Sequence, residues 1–209
     1  MKIAVFGGSG RTGVHIVEQA LAQGHHVTAL VRDPNKLPIK HTNLTVIQGD
    51  ALNADQVAAT IKGADAVISA LGPTKTSPKD LLSASGQNII NAMKKHSVKR
   101  FIGESGAGVV LPEDPQTFGS RVMGALVGMM IKDVIADNRQ QLAQLRASGL
   151  DWTLVRAPML NNGPRTGNYN AGYQTMGPGA KISRADIAEF MLKQTNDKTY
   201  VGQAPTIRY

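Results

Sequence analysis

The chain has no cysteine among its 209 residues. Disulfides, thiolate metal sites and cysteine nucleophiles are therefore excluded. Aromatic residues are scarce at 4%, and no aromatic RNA-binding signature, helix-turn-helix or zinc-finger pattern is present. Long apolar runs are also missing. The longest, "GALVGMMI" at 124–131, is far too short to span a bilayer. The N-terminus runs straight into a strand-like segment, without the charged region, apolar core and cleavage site of a secretory signal. A cytoplasmic protein with no membrane partner is the expectation. Acidic residues are outnumbered, 15 against 23 basic ones, for a formal charge of +8. Such an excess serves solubility, nucleic acid or an anionic cofactor. The basic residues are scattered apart from "KKHSVKR" at 94–100, which reads as a solvated face, so nucleic acid is not expected. The five histidines include no H-x-x-x-H pair, and no metal site is expected.

What is present is an ordinary globular composition, 42% apolar and 18% charged, long enough for one substantial core. Strand-like and helix-like segments alternate. "KIAVF" (2–6) precedes a helix from about Arg11 that Gly24 stops, with Val14, Val17 and Leu21 on one face. "HVTALV" (26–31) and "LTVIQ" (44–48) follow as strands, then a short helix capped by Asn53 or Asp55 and ended by Gly63. "DAVISAL" (65–71), a helix over 80–95, "KRFIGES" (99–105), a helix over 132–148 and "DWTLVRAP" (151–158) continue the pattern. Ser183 and Asp186 form a capping box before Ile187, Phe190 and Met191, and two short extended pieces close the chain. This alternation predicts an α/β fold: a doubly wound, Rossmann-type parallel sheet in a single domain over 1–209, with short C-terminal substrate-side elements. Residues 106–131 and 157–182 break the rhythm with clustered Gly and Pro, and Met123, Met129 and Met130 lie in the first. Both follow strand C-termini, where open α/β sheets bind ligands, so they are expected to line a flat substrate.

"GGSGRTG" places Gly7, Gly10 and Gly13 in a G-x-x-G-x-x-G turn between a strand and a helix. Gly7 permits the tight turn, Gly10 lets backbone approach a pyrophosphate, and Gly13 lets the helix pack closely on the sheet. The helix N-terminus supplies free N–H groups and a partial positive charge. The end of the second strand selects between cofactors. NAD sites place a carboxylate there for the ribose hydroxyls. This chain reads "LVRDPNK", with Arg32 nineteen residues after Gly13. A guanidinium grips a 2′-phosphate that a carboxylate would repel. Arg11 and Lys36 strengthen the same site, and Asp33 turns outward before Pro34. NADPH (with its product NADP) is the predicted cofactor.

These segments resemble the atypical short-chain dehydrogenase/reductase group, in its NAD(P)-binding, NmrA-like branch, and look most like the biliverdin reductase B/flavin reductase proteins. The resemblance rests on "IAVFGGSGRTG", "VTALVRDPNKLP", "VIQGDALN", "DAVISALG", "GQNIINAMKKHSVKRFIGESGAG", "LRASGLDWTLVRAP" and "ISRADIAEFML", which follow one another across nearly the whole chain. It implies that Gly7, Gly10, Arg11, Thr12 and Gly13 hold the cofactor's phosphates, and that Asp50 and Ala51 flank the adenine. It further implies that Ala70, Leu71 and Gly72 lie along the ribose and pyrophosphate, and that Pro158 and Met159 border the nicotinamide. Ser105 is implied as the catalytic-site residue, near the nicotinamide and the substrate.

The chain departs from the pattern in one respect. Tyr169, Tyr173, Tyr200 and Tyr209 all lack a lysine four residues later, so the Tyr-x-x-x-Lys proton relay of many short-chain dehydrogenases is missing. Met159 stands where biliverdin reductase B-like members tend to carry histidine. Hydride transfer to an electron-poor ring needs positioning more than a protein acid. The expected function is therefore an NADPH-dependent reductase of a flavin, quinone or similar planar acceptor, working as a monomer or homodimer. The alternative is a non-catalytic NADP(H)-binding sensor acting on a protein partner. Glu104 as a proton donor, and Asn161 and Asn162 as substrate contacts, have simpler readings as a locally bonded carboxylate and turn-forming asparagines.

Overall fold

The computed structural model describes residues 1–106, 109–115, 131–174, 177 and 179–209. The chain runs β1 (Lys2–Phe6), α1 (Gly13–Ala22), β2 (His26–Val31), β3 (Leu44–Gln48), α2 (Ala54–Ile61), β4 (Ala66–Ser69), α3 (Leu81–Lys95) and β5 (Arg100–Gly106). It continues with α4 (Lys132–Ser148), β6 (Asp151–Ala157), β7 (Met159–Asn161), β8 (Asn170–Gly172), β9 (Lys181–Ser183), α5 (Arg184–Lys193) and β10 (Thr206–Arg208). The main sheet has the order β3-β2-β1-β4-β5-β6-β10-β8, and β7 pairs with β9 in a separate two-stranded sheet. The predicted doubly wound α/β fold is what forms.

The period-two alternation of β1 explains the layering. Ile3 and Val5 face one side, where Ile16, Val17 and Ala20 of α1 meet Ile187, Phe190 and Met191 of α5. Ala4 and Phe6 face the other, against Val57 and Ile61 of α2, Ile89 and Met93 of α3, and Leu142 and Leu145 of α4. Neighbouring strands from β3 to β6 pair in parallel, and strand order reverses between β1 and β4. That reversal opens the crevice in which such sheets take ligands.

Several expectations are corrected. Helix α1 starts at Gly13, not Arg11, because Gly10 N donates to Gly7 O at 2.8 Å and keeps the turn going. Strand β4 is shorter than 65–71. After α5 the two extended pieces are the bridge of Gln203 with Thr153 and strand β10, and β8 joins β10 antiparallel at the sheet edge. The 157–182 stretch is not only loop: it supplies β7, β8 and most of the approach to β9. Arg100 leaves the expected solvated face. It is 9% exposed and donates to Gln194 O at 2.7 Å, Asp151 O at 2.8 Å and Thr153 Oγ1 at 2.9 Å. Ser183 does cap α5 through Asp186 N at 3.0 Å. The Asp186 carboxylate instead accepts from Thr166 N, Gly167 N and Tyr209 Oη, which straps the 162–169 segment onto the helix. Met123, Met129, Met130 and the run 124–131 lie outside the described residues, apart from Ile131.

Arg156 of β6 is the largest fully buried side chain. Both of its terminal nitrogens reach Asp114, each at 2.6 Å, and Nη1 also donates to Val109 O at 2.7 Å. The segment 109–115 that follows β5 is thereby tied back onto the sheet.

Candidate functional site

The glycine turn joins β1 to α1 at the strand-order reversal. Gly7 has φ +76°, and a Cβ there would lie 2.6 Å from the Ala70 carbonyl oxygen at the end of β4. A Cβ on Gly13 would lie 2.0 Å from Gly7 O, so Gly13 is required by the turn itself rather than by packing on the sheet. Thr12 stands at the N-cap of α1 in a helical conformation and caps nothing with its side chain, and the helix has no acidic residue in its first turn. Val14 N donates to Gly10 O at 3.0 Å, and the other N–H groups of the first turn, which no side chain caps, can serve an external acceptor. A phosphate placed there meets the backbone dipole and no acidic residue of the helix's own first turn.

At the end of β2, Arg32 is exposed, and its guanidinium makes no hydrogen bond or ion pair among the described residues. Parallel pairing of Phe6 with Leu30 sets it at the same sheet edge as the glycine turn. Asp33 accepts from Asn35 N at 3.1 Å and caps the turn Pro34–Lys36, whose Lys36 is exposed. One oxygen of the neighbouring carboxylate, Asp33 Oδ1, is thus committed to the turn.

The other expected positions divide into two groups. Ala70 and Leu71 are half-buried and Gly72 is exposed, at the lip beside Gly7. Asp50 accepts from Leu52 N at 2.9 Å, and the buried Ala51 gives its carbonyl to Asn88 Nδ2 at 3.1 Å. Pro158 is half-buried, while Met159 is 65% exposed. Ser105 lies on the α4 side of β5, is 5% exposed and donates to Asn138 Oδ1 at 2.6 Å. Asn138 in turn donates to Val134 O at 2.7 Å. The Ser105 proton is committed, and its oxygen is left as an acceptor only.

Two residues given little or no weight in the sequence stand on the opposite face of β5. Glu104 accepts from Thr12 Oγ1 at 3.3 Å. Burial pushes its carboxyl up from 4.5 to about 7, with the Thr12 hydrogen bond and the Arg184 charge opposing the rise. Arg184, the first residue of α5, is 8% exposed. It donates to Asn162 Oδ1 at 2.7 Å, and Arg11 reaches the same oxygen at 3.5 Å. Sequence spacing could not join residues 11, 104, 162 and 184. A cation at a helix N-terminus was the available signal, because it opposes the helix dipole.

A Tyr–Lys pair does form, but elsewhere. Lys193 Nζ lies 3.4 Å from Tyr169 Oη. Burial raises the Tyr169 pKa, with Glu189 reinforcing the rise, the reverse of an activated phenol. Lys193 ends α5, nine residues or roughly 13 Å of helix rise beyond Arg184. A polar cavity of about 210 Å³ between Lys2, His26, Thr28, Asn43 and Lys62 opens at the N-terminal ends of the strands, the wrong edge for ligands of such sheets.

The family model described as NAD(P)H-binding matches residues 7–198. The Bacillus subtilis protein YwnB is 27% identical over 99% of this chain and 98% of its own length. The Zea mays isoflavone reductase homolog IRL is 32% identical over 61% of this chain, and the match spans 42% of that protein. Among solved structures, a short-chain dehydrogenase/reductase from Veillonella parvula in complex with NADP superimposes with a TM-score of 0.80 at 21% identity, covering 99% of this chain and 93% of that one. No helix among the described residues is long and apolar enough to cross a membrane.

Proposed function

This chain belongs to the NAD(P)H-binding family, and on that premise we propose that it is an NADPH-dependent reductase of a flavin, quinone or similar planar acceptor, in the flavin reductase-like, NmrA-like branch. The observation that carries the cofactor preference is Arg32, whose guanidinium at the end of β2 has no hydrogen bond or ion pair among the described residues, while Asp33 accepts from Asn35 N. Its planar guanidinium suits a phosphomonoester, and Lys36 adds charge alongside.

The residues present fit the cofactor. Gly7 and Gly13 let the turn close on its own backbone, where a Cβ would collide, and the start of α1, which no side chain caps, would take the diphosphate. Reduced nicotinamide supplies a hydride when bound. Ser105, whose proton is held by Asn138, would offer its oxygen as an acceptor to the carboxamide N–H of the nicotinamide. Exposed Met159 and half-buried Pro158 would border the ring. A planar, electron-poor acceptor needs this alignment more than a phenolic acid, which agrees with the absence of a Tyr–Lys relay. Turnover of NADPH with FMN, riboflavin and quinones tests the reading directly. No consumption with any of them, together with NADP-dependent capture of a defined protein partner, would replace it with a sensor.

A further inference from the structure

Arg184 is arranged against its own stability. The residue is 8% exposed, yet the one hydrogen bond its guanidinium makes among the described residues goes to a neutral amide oxygen, Asn162 Oδ1. It forms no ion pair among the described residues. It sits at the positive end of α5, where a cation is unfavourable. The neighbouring charge has the same sign, since Arg11 converges on the same oxygen. Burial and the Arg11 charge both lower the Arg184 pKa, and only Glu104 works the other way. Glu104 neutralises it only in part, because burial raises its own pKa to about 7 and leaves about half of the carboxyl protonated at neutral pH. A buried cation normally requires a paired charge.

We propose that Arg184, Arg11 and Asn162 form an anion clamp that closes on a phosphate or carboxylate group of a bound ligand. The clamp is built from the glycine turn on one side and from the segment after β7 and the start of α5 on the other. It therefore joins the cofactor turn to the substrate-side elements, and an anion between the two guanidiniums replaces repulsion with two charge-assisted contacts. Asn162 holds both side chains in place while the anion is away. The anionic group comes either from the cofactor's diphosphate or from the acceptor, and in both cases the chemistry is the same. The assignment of a source rests on the reductase reading above; the clamp itself does not.

The test begins with inorganic pyrophosphate as the probe, followed by thermal unfolding and calorimetric titration, with no turnover required. Wild-type protein is expected to bind pyrophosphate and to gain several degrees in Tm. Arg184→Gln is expected to weaken that binding by about tenfold or more, while leaving Tm without anion equal to or above wild type. Arg11→Gln serves as the second variant. Two kinetic arms identify the source. A rise in the NADP dissociation constant for Arg184→Gln assigns the cofactor diphosphate, whereas a rise in KM for FMN but not for riboflavin assigns the acceptor. Pyrophosphate binding that is unchanged in both variants would overturn the clamp, as would a loss of anion-free stability in Arg184→Gln, which would make the residue structural. Failure of the reductase reading shows separately, as absence of NADPH consumption by the wild type.

Discussion

Thr12 Oγ1 donates to Glu104 Oε1 across 3.3 Å, joining the end of the glycine turn to the C-terminal end of β5. The threonine thereby gives up the capping of α1, and the carboxylate gains one neutral donor in a site that disfavours its charge. Two elements separated by 92 residues meet where a phosphate-bearing ligand would lie.

The carboxyl at 104 makes stability depend on pH. Its folded-state pKa of about 7 stands above the ordinary 4.5, so the folded protein holds the proton more tightly than the unfolded chain. The resulting stabilisation is full below pH 4.5 and is lost as pH rises to about 7, to the extent of roughly 3 kcal/mol. Glu104→Gln keeps an acceptor for Thr12 and removes the titration. Urea unfolding should show the variant ahead of wild type at pH 8 and close to it at pH 4.5 to 5. An equal gap at both pH values would contradict the buried carboxyl.

Arg32→Glu should invert the cofactor preference. Repulsion replaces a charge-assisted grip on the 2′-phosphate, so NADPH affinity is expected to fall by about tenfold to a hundredfold, with NADH affinity unchanged or improved. Fluorescence titration with both cofactors measures this. An unaltered NADPH-to-NADH ratio would remove Arg32 from the site.

Gly13→Ala should abolish the turn rather than tune it. The added Cβ would sit 2.0 Å from Gly7 O, and the obstructing atoms are backbone. A loss of at least about 2 kcal/mol is expected, together with loss of cofactor binding. A folded, cofactor-binding Gly13→Ala protein with wild-type Tm would mean that the turn relaxes freely.

Asp114→Ala should be strongly destabilising. It leaves the Arg156 guanidinium, 1% exposed, without its bidentate partner, a loss of about 3–5 kcal/mol. Asp133→Ala removes the exposed contact with Lys79 and the first-turn carboxylate of α4 and should lower the urea midpoint far less. Comparable midpoints for the two variants would argue that the 109–115 segment is not held by Arg156.

Most of the framework was legible along the chain. The helices over 81–95 and 132–148 and the strands through β6 follow from local periodicity, with Asn53 capping α2 through Asp55 N and Gln56 N as its position suggested. The glycine turn was legible too, although the reason for Gly13 changed from sheet packing to the collision with Gly7 O. Less legible was the 157–182 stretch. Its β7 and β9 strands are three residues each, too short for alternation to register, and each exists through pairing with the other.

The sequence by itself determined the layer order, the glycine turn after β1 and the cationic end of β2, because burial patterns and turn residues act over a few neighbouring positions. Only the tertiary structure decided the partners of the polar side chains. Arg100 went inward to cap carbonyls of α5 and β6, Ser105 went to Asn138, and Arg184 was brought to Arg11 and Asn162. The physical reason is that a hydrogen bond or charge contact depends on distance in space. Nothing in the spacing of residues 11, 104, 138 and 184 along the chain encodes it.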